Sequence, residues 1–391
     1  MKINALHILF ALLSAVGMLL SACTEDTSFV QSDEDEAGRV ILSYSVTGNT
    51  LSRAPEAGWN DGWNENEVDR LDLFIFRNQT LIKHYGANIQ ETENKTAKQN
   101  ANEELNYHDW SIPASELSPN EIQSGDVVYL IANCSVVMLN GESKNLAEIT
   151  SLTDLQAASI GTLSCNKKQE NFVMTGTTVV GEKVGNDVEI KVDLLRAAAK
   201  IRLSFSDASQ SDWSDGIAYR LVQYTQSSAL LQESDETYLS TVQLSTYPLE
   251  NADVELVNTS TTETYYATDG QLVLYSYVNN WYQTAEDELV GEIPINEEKQ
   301  TYIILYAPYG DDGKKYYYKV PVNYQLPEDN DDINPDESYK NLYRLQRNYI
   351  YDITVTIDRE GGTETKPKEV DALQVIVVPW TEKSLEVPAF E

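Results

Sequence analysis

Histidine, cysteine and methionine are scarce in this chain, with three, three and four copies among 391 residues. His7 falls in an N-terminal apolar stretch, leaving His84 and His108 for any chemistry that relies on imidazole. Neither a His-based zinc motif nor a Gly-rich phosphate-cradling loop occurs. Nothing in the sequence selects a catalytic pair of carboxylates from 62 acidic residues. Basic charge is short as well: 28 Lys+Arg face 62 Asp+Glu, for a net charge of −34. A surface that acidic repels phosphate backbones, so nucleic acid is not an expected partner. These absences point away from an enzyme, and no metal or cofactor is expected. Tyrosine is abundant, at 24 residues, and with many Val, Ile and Thr it favours strands. Hydrophobic content of 41% and charged content of 23% are ordinary globular values, which excludes wholesale disorder. The length is roughly two domains' worth.

The N-terminus reads as an address. Lys2 is followed by an apolar run from Ile8 to Leu20, a secretory signal too short for a permanent membrane span. It ends Leu20-Ser21-Ala22-Cys23, which resembles a bacterial lipobox. The resemblance implies removal of residues 1–22 and acylation of Cys23, with the lipoprotein export machinery as a partner. Several acyl chains on one residue anchor a protein stably where one does not. With Cys23 lipidated, Cys134 and Cys165 remain, and an exported protein could pair them. Cys134 sits in an apolar strand and Cys165 in a polar turn region, so two buried thiols are the preferred expectation.

An acidic tether, Thr24–Glu36, reads as a solvated linker. Next comes a strand over Arg39–Val46, with Val40, Leu42, Tyr44 and Val46 on one face. A loop of small and polar residues follows, Leu51-Ser52-Arg53-Ala54-Pro55. Further strands are expected at Arg70–Phe76, Val127–Ala132, Val188–Leu194, Lys200–Phe205, Gln271–Tyr277, Tyr302–Tyr306, Tyr316–Val322, Tyr349–Ile357 and Leu373–Val378. A short helix is expected near Ser151–Ala158, where Asp154 follows Ser151 by three residues. Many short alternating strands argue for β-sandwiches rather than a parallel α/β sheet. The segment Gly38–Ser45 is echoed at Ala199–Ser206, 161 residues later, as if each opened one sandwich, with a boundary near Leu195.

Five segments in order then resemble the fimbrillin family, the subunits of type V pili: Val68–Phe76, Val128–Asn133, Val173–Thr178 leading to Leu195–Phe205, Leu345–Ile357, and Leu373–Trp380. Tyr349 departs from the family, where a His is common after the Arg-Asn pair. The resemblance implies an all-β fold of two tandem transthyretin-like β-sandwich domains. They would span residues 54–195 and 196–360, preceded by a removable tether and first strand over 23–53 and followed by a linker and donor strand over 361–391. It also implies a lipid-anchored precursor on the outer membrane, cut by an Arg-specific protease that removes the first strand. The vacated groove would accept the C-terminal strand of another copy or of a related pilus subunit, building a surface fimbria that supports adhesion.

The residues present suit that scheme. Val40, Leu42, Tyr44 and Val46 would leave an apolar slot, and an exposed loop with a lone basic residue suits a cut between Arg53 and Ala54. Gly361–Glu369 reads as a flexible linker to the donor strand. There Leu373, Val375 and Val377 lie on one face and Ile376, Val378 and Trp380 on the other, as strand addition requires. A shaft subunit fits better than a tip or a retained anchor. The alternative is a surface glycan-binding lipoprotein of a polysaccharide-uptake system, with Trp59, Trp63, Trp213 or Trp281 as an exposed platform. The run Glu328–Glu337 lacks the Gly and spacing of a calcium loop and reads as a solvated acidic loop. Tyr275, Tyr277, Trp281, Tyr282 and Tyr316–Tyr318 are expected to pack rather than to stack on sugars.

Overall fold

A computed structural model describes residues 38–46, 65, 67–89, 97–98, 107–161, 163, 171–205, 217–225, 227–231, 244–245, 255–257, 272–281, 299–310, 314–323, 344–370 and 372–379. Nearly every described element is a strand. Numbering the strands of the three large sheets in chain order, the first sheet holds β1 (Val40–Val46), β2 (Arg70–Arg77), β3 (Thr80–Asn88), β4 (Ala97–Lys98), β5 (Tyr107–Ile112), β6 (Val127–Ala132), β7 (Met174–Val179) and β8 (Val188–Arg196). Their spatial order is β3-β2-β6-β7-β8-β1-β5-β4. The second part of the chain supplies β9 (Ala198–Phe205), β10 (Ile217–Val222), β11 (Glu255–Val257), β12 (Leu272–Tyr277), β13 (Tyr302–Pro308), β14 (Lys315–Pro321), β15 (Tyr349–Thr356), β16 (Lys368–Glu369) and β17 (Ala372–Pro379). They form a four-stranded sheet, β12-β9-β15-β17, and a five-stranded sheet, β11-β10-β13-β14-β16.

The expected helix is a short α1 (Leu152–Ala157), and the Ser151 Oγ accepts from the Asp154 amide at 3.1 Å as an N-cap. The strands not anticipated have physical reasons to be hard to read. β3 (TLIKHYGAN) lies at a sheet edge with both faces partly wet, so its alternation is blurred by Lys83, His84 and Gly86. β5 (YHDWSI) carries polar residues where it meets β1. Gly86 is required by its neighbours, since a Cβ there would stand 2.3 Å from Asp72 Oδ1. That carboxylate is fully buried and takes charge-assisted hydrogen bonds from Arg70, at 2.6 and 2.9 Å. His84 Nε2 lies 2.8 Å from it.

The eight-stranded ladder folds over where β7 meets β8, for only Met174↔Arg196 and Thr175↔Leu195 pair there. Gly176 makes the bend feasible, because a Cβ would meet the Asp193 carbonyl at 2.2 Å. Both halves of the ladder then feed one core, with Val40, Leu42, Ile190 and Val192 from one half and Leu71, Leu73, Ile75 and Leu130 from the other. A second core lies between the four- and five-stranded sheets, around Ile201, Leu203, Leu274, Trp281, Leu305, Val320, Tyr351 and Ile353.

β9 lies between the two cores. Ala198 belongs to the first and Ala199 to the second, so the run Ala197-Ala198-Ala199 uses minimal side chains where two cores approach one backbone. The echo noted in the sequence has a counterpart in pairing. β1 runs parallel to β8 and antiparallel to β5, while β9 runs parallel to β15 and antiparallel to β12.

Polar groups are sealed into the junction. Glu65 is 3% exposed, and its Oε2 accepts from Lys200 Nζ at 2.9 Å. Its Oε1 accepts from the Tyr275 hydroxyl, and its backbone carbonyl from Arg196 Nε at 3.3 Å. Arg196 also donates through its amide and guanidinium to Asn348 Oδ1, at 3.2 and 3.0 Å. Arg347 reaches the other way, to Thr175 Oγ1 at 3.3 Å, Ser228 Oγ at 3.3 Å and the Ala229 carbonyl at 2.9 Å. The Arg347-Asn348 pair therefore ties β15's approach to strands of the first core. Asn348 has a φ of 61°, a left-handed conformation that Asn tolerates better than other side chains.

Candidate functional site

β1 is not an edge strand. It lies between β8 and β5, with seven residues in parallel register on β8 (Val40↔Val188 to Val46↔Leu194) and five antiparallel on β5 (Val40↔Ile112 to Tyr44↔His108). Val40, Leu42, Tyr44 and Val46 are 0, 0, 3 and 1% exposed, so the whole apolar face of the strand is core. The opposite face is held by polar contacts. Ser43 Oγ donates to Asp109 Oδ1 and Ser45 Oγ to Asp193 Oδ1, both at 2.6 Å. The Tyr44 ring stacks on His108 with centroids 5.3 Å apart.

Arg39 is locked at the start of the strand: its amide donates to Asp187 Oδ1 at 2.8 Å and its carbonyl accepts from Val188. Among the described residues the β5 register runs from Val40↔Ile112 to Tyr44↔His108, and the β8 register continues to Val46↔Leu194. Taking β1 away leaves a slot one strand wide, with main-chain donors and acceptors facing it from both walls.

The C-terminal strand is placed very differently. β17 lies at the edge of its sheet, antiparallel to β15 over eight pairs, from Tyr349↔Pro379 to Thr356↔Ala372. The register sets Leu373, Val375 and Val377 opposite Val355, Ile353 and Tyr351, and Ile376 and Val378 opposite Asp352 and Ile350. Val375 is half-buried, yet Val377 is 40% exposed. Among the described residues, then, β17 pairs as the last strand of its own sheet and lies at its edge.

The segment read as a flexible linker is docked instead. Gly362 exchanges main-chain hydrogen bonds with Tyr317, at 2.8 and 3.1 Å, and Tyr318 donates to the Arg359 carbonyl at 2.9 Å. Gly361 passes so close that a Cβ would meet the Tyr317 carbonyl at 2.7 Å. β16 then adds to β14 before the chain crosses to β17. Glycine is used here for close approach, which composition alone cannot distinguish from flexibility.

Cys23, Arg53, Ala54, Cys165, Trp59, Trp63, Trp213, Tyr282, Trp380 and the run Glu328–Glu337 lie outside the described residues. Trp281 is fully buried in the second core, and Tyr275, Tyr277 and Tyr318 are at most 5% exposed. Trp281 therefore cannot serve in an exposed platform, since its indole is spent on packing. Cys134 is a buried free thiol whose Sγ donates weakly to the Val136 carbonyl at 3.4 Å. Burial pushes its pKa up to about 11. It should stay thiol and resist maleimide or disulfide reagents at pH 7–8 in native protein, then react fully in denaturant. Rapid labelling without denaturant would contradict that burial.

The junction residues Glu65, Arg196, Lys200 and Asn348 were not singled out from sequence. A signal existed: Lys200 and Arg202 alternate with Ala199, Ile201 and Leu203 within one strand, which places two cations on a single face beside a core. Among the described residues no cluster of His, Cys, Asp and Glu could hold a metal, and no helix is long and apolar enough to cross a membrane.

No family model and no curated protein matches the sequence. Solved structures do match the fold. A candidate cell adhesion protein from Bacteroides eggerthii aligns over 88% of this chain and 97% of its own, at 16% identity and a TM-score of 0.51. A fimbrilin from Porphyromonas gingivalis aligns over 88% of this chain and 98% of its own, at 15% identity and a TM-score of 0.50. This chain has the fimbrillin fold. A candidate cell adhesion protein from Parabacteroides distasonis gives the same answer, at 13% identity, 88% and 98% coverage and a TM-score of 0.50. In this version of the fimbrillin fold, the first described strand lies inside one sheet and the last described strand at the edge of another.

Proposed function

We propose that this protein is a structural subunit of a surface pilus that supports adhesion. The carrying observation is β1, a strand whose every inward side chain is core yet which enters from the N-terminal tether. On this reading the precursor is exported with lipid on Cys23 and held at the outer membrane. An Arg-specific protease cuts between Arg53 and Ala54, releasing residues 23–53. The slot between β8 and β5 then accepts the C-terminal segment of another copy or of a related subunit, with Leu373, Val375, Ile376, Val377, Val378 and Trp380 as its apolar residues. Units spanning 54–195 and 196–360 are the body of the subunit.

Several features support the exchange. Among the described strands β17 has one ladder partner, and its Val377 is exposed, so lifting it costs less than lifting β1 from between two. Main-chain pairing on both walls gives affinity, and the pockets of Val40, Leu42, Tyr44 and Val46 give register. Having both a removable first strand and a C-terminal strand, the chain suits the shaft better than the tip or the anchor.

The test is N-terminal sequencing and intact mass of protein sheared from cells that make it. A start at Ala54, in ladders that survive SDS without heating, is the expected result. A lipidated Cys23 start with only monomer would sink the reading.

A further inference from the structure

The outer face of the five-stranded sheet carries a constellation that neither the pilus reading nor core packing uses. Cross-strand register puts Ala218, Tyr306 and Tyr317 in one row, Arg220, Ile304 and Lys319 in the next, and Val222, Tyr302 and Pro321 in a third. The inward residues of the same strands, Tyr219, Leu221, Ile303, Leu305, Tyr318 and Val320, belong to the second core, so Arg220, Tyr302, Ile304, Tyr306, Tyr317 and Lys319 lie on the other face, where Ile304 is itself buried. Tyr302, Tyr306, Tyr317 and Lys319 are all partly exposed.

Arg220 is the anomaly. Its side chain is 4% exposed; among the described residues its Nε has no hydrogen-bond partner and its ion pair is a long 3.4 Å contact to Glu364, itself 52% exposed. A buried guanidinium with an unused donor is costly unless an anion completes it. Its charge acts on the hydroxyls of both Tyr302 and Tyr317. Tyr306 and Tyr317 pack with centroids 4.5 Å apart, and Lys319 Nζ stands 4.9 Å over the Tyr302 ring.

Local charge runs against the rest of the molecule. The stretches 314–320 and 358–370, which build and cover β14, hold six of the chain's 28 basic residues against four acidic ones. Tyr302 and Tyr306, four residues apart on one strand face, are separated by about 13 Å, room for more than one sugar ring. Aromatic faces stack on sugar rings through their apolar C–H edges, while a planar guanidinium takes a carboxylate through two parallel hydrogen bonds.

We propose that this face binds an acidic glycan, with a uronic or sialic carboxylate on Arg220 and neighbouring sugar rings on Tyr302, Tyr306 and Tyr317. Lys319 lies at the rim, its Nζ donating to Gln300 Oε1 at 3.2 Å and paired with Glu369 at 3.4 Å, so Arg220 is the carboxylate's cation. Non-specific attraction is not available as an explanation, because a net charge of −34 repels polyanions at long range and only a local site can hold one. The inference does not depend on strand exchange, since every residue involved lies within one copy.

Titration of trigalacturonate into the full chain, followed by calorimetry and by tyrosine fluorescence, tests it, with maltotriose as the neutral control. Saturable binding of trigalacturonate and none of maltotriose is expected. The double variant Tyr306→Ala, Tyr317→Ala should weaken binding by about tenfold or more, and Arg220→Lys, which keeps charge but loses the fork, by about tenfold. The tyrosines lie outside the second core, so the double variant should fold with a somewhat lower melting temperature, leaving a readout should Arg220→Lys fold poorly. No binding by the unaltered chain, equal binding of maltotriose, or binding that the tyrosine variant leaves unchanged would overturn the proposal.

Discussion

A chain that starts at Ala54 is expected to lose its first sandwich as a stable monomer. It lacks four side chains that are at most 3% exposed in β1, worth about 6–12 kcal/mol of burial by ordinary transfer values. Two ladders of main-chain hydrogen bonds go with them, and β8 and β5 gain open edges. A typical domain has only about 5–15 kcal/mol of net stability, so this loss is of the same order as the whole. The truncated chain should bind a hydrophobic dye, elute as oligomers, and unfold at much lower urea than the chain that keeps β1. A synthetic peptide of residues 38–48, added in trans, should restore compact monomer. Leu42→Asp in that peptide should abolish rescue, because it puts a carboxylate where a fully buried leucine packs among apolar side chains. An unchanged urea midpoint for the truncated monomer would mean β1 is dispensable and the slot does not exist.

Glu65→Ala should be the most damaging single substitution outside the strands. It leaves Lys200, 2% exposed, without the carboxylate 2.9 Å away and removes the acceptor for the Tyr275 hydroxyl. Breaking one partner of a buried pair costs about 3–5 kcal/mol, far more than a surface pair would. Replacing both partners, Glu65→Leu with Lys200→Met, should be milder than Glu65→Ala, since no buried charge is then left without its counter-ion. Urea denaturation of the three variants and the parent, analysed as a double-mutant cycle, measures the coupling. Additive costs would mean that the pair does not act as a unit. The position matters for the proposed assembly: Glu65 follows the expected cut by about a dozen residues, so its contacts pin the new N-terminal segment to the junction of the two cores.

Much of the strand content was legible because alternation is a local signal. β1, β8 and β15 read directly from period-two runs, since each has one face on a core, and β2 and β13 from short apolar runs buried at consecutive positions. β3 and β5 did not, because an edge strand or one pairing through polar contacts lacks a uniformly apolar face. Gly361 and Gly362 show a related limit: glycine marks both freedom and close approach, and only the neighbouring Tyr317 main chain distinguishes them. Trp281 shows the same limit for aromatics, for nothing in its local sequence tells a core indole from a surface one.

The sequence by itself determined the all-β class, the apolar face of Val40, Leu42, Tyr44 and Val46, the acidic surface and the shortage of catalytic material, because composition and periodicity are properties of the chain. Tertiary structure alone decided that β1 lies between two strands while β17 lies at an edge, that Glu65 meets Lys200 across 135 positions, and that Arg220 sits among three tyrosines. Those outcomes depend on which strands pair and in what register. Pairing between distant strands is fixed by the burial of whole faces against one another, a quantity no short window of sequence contains.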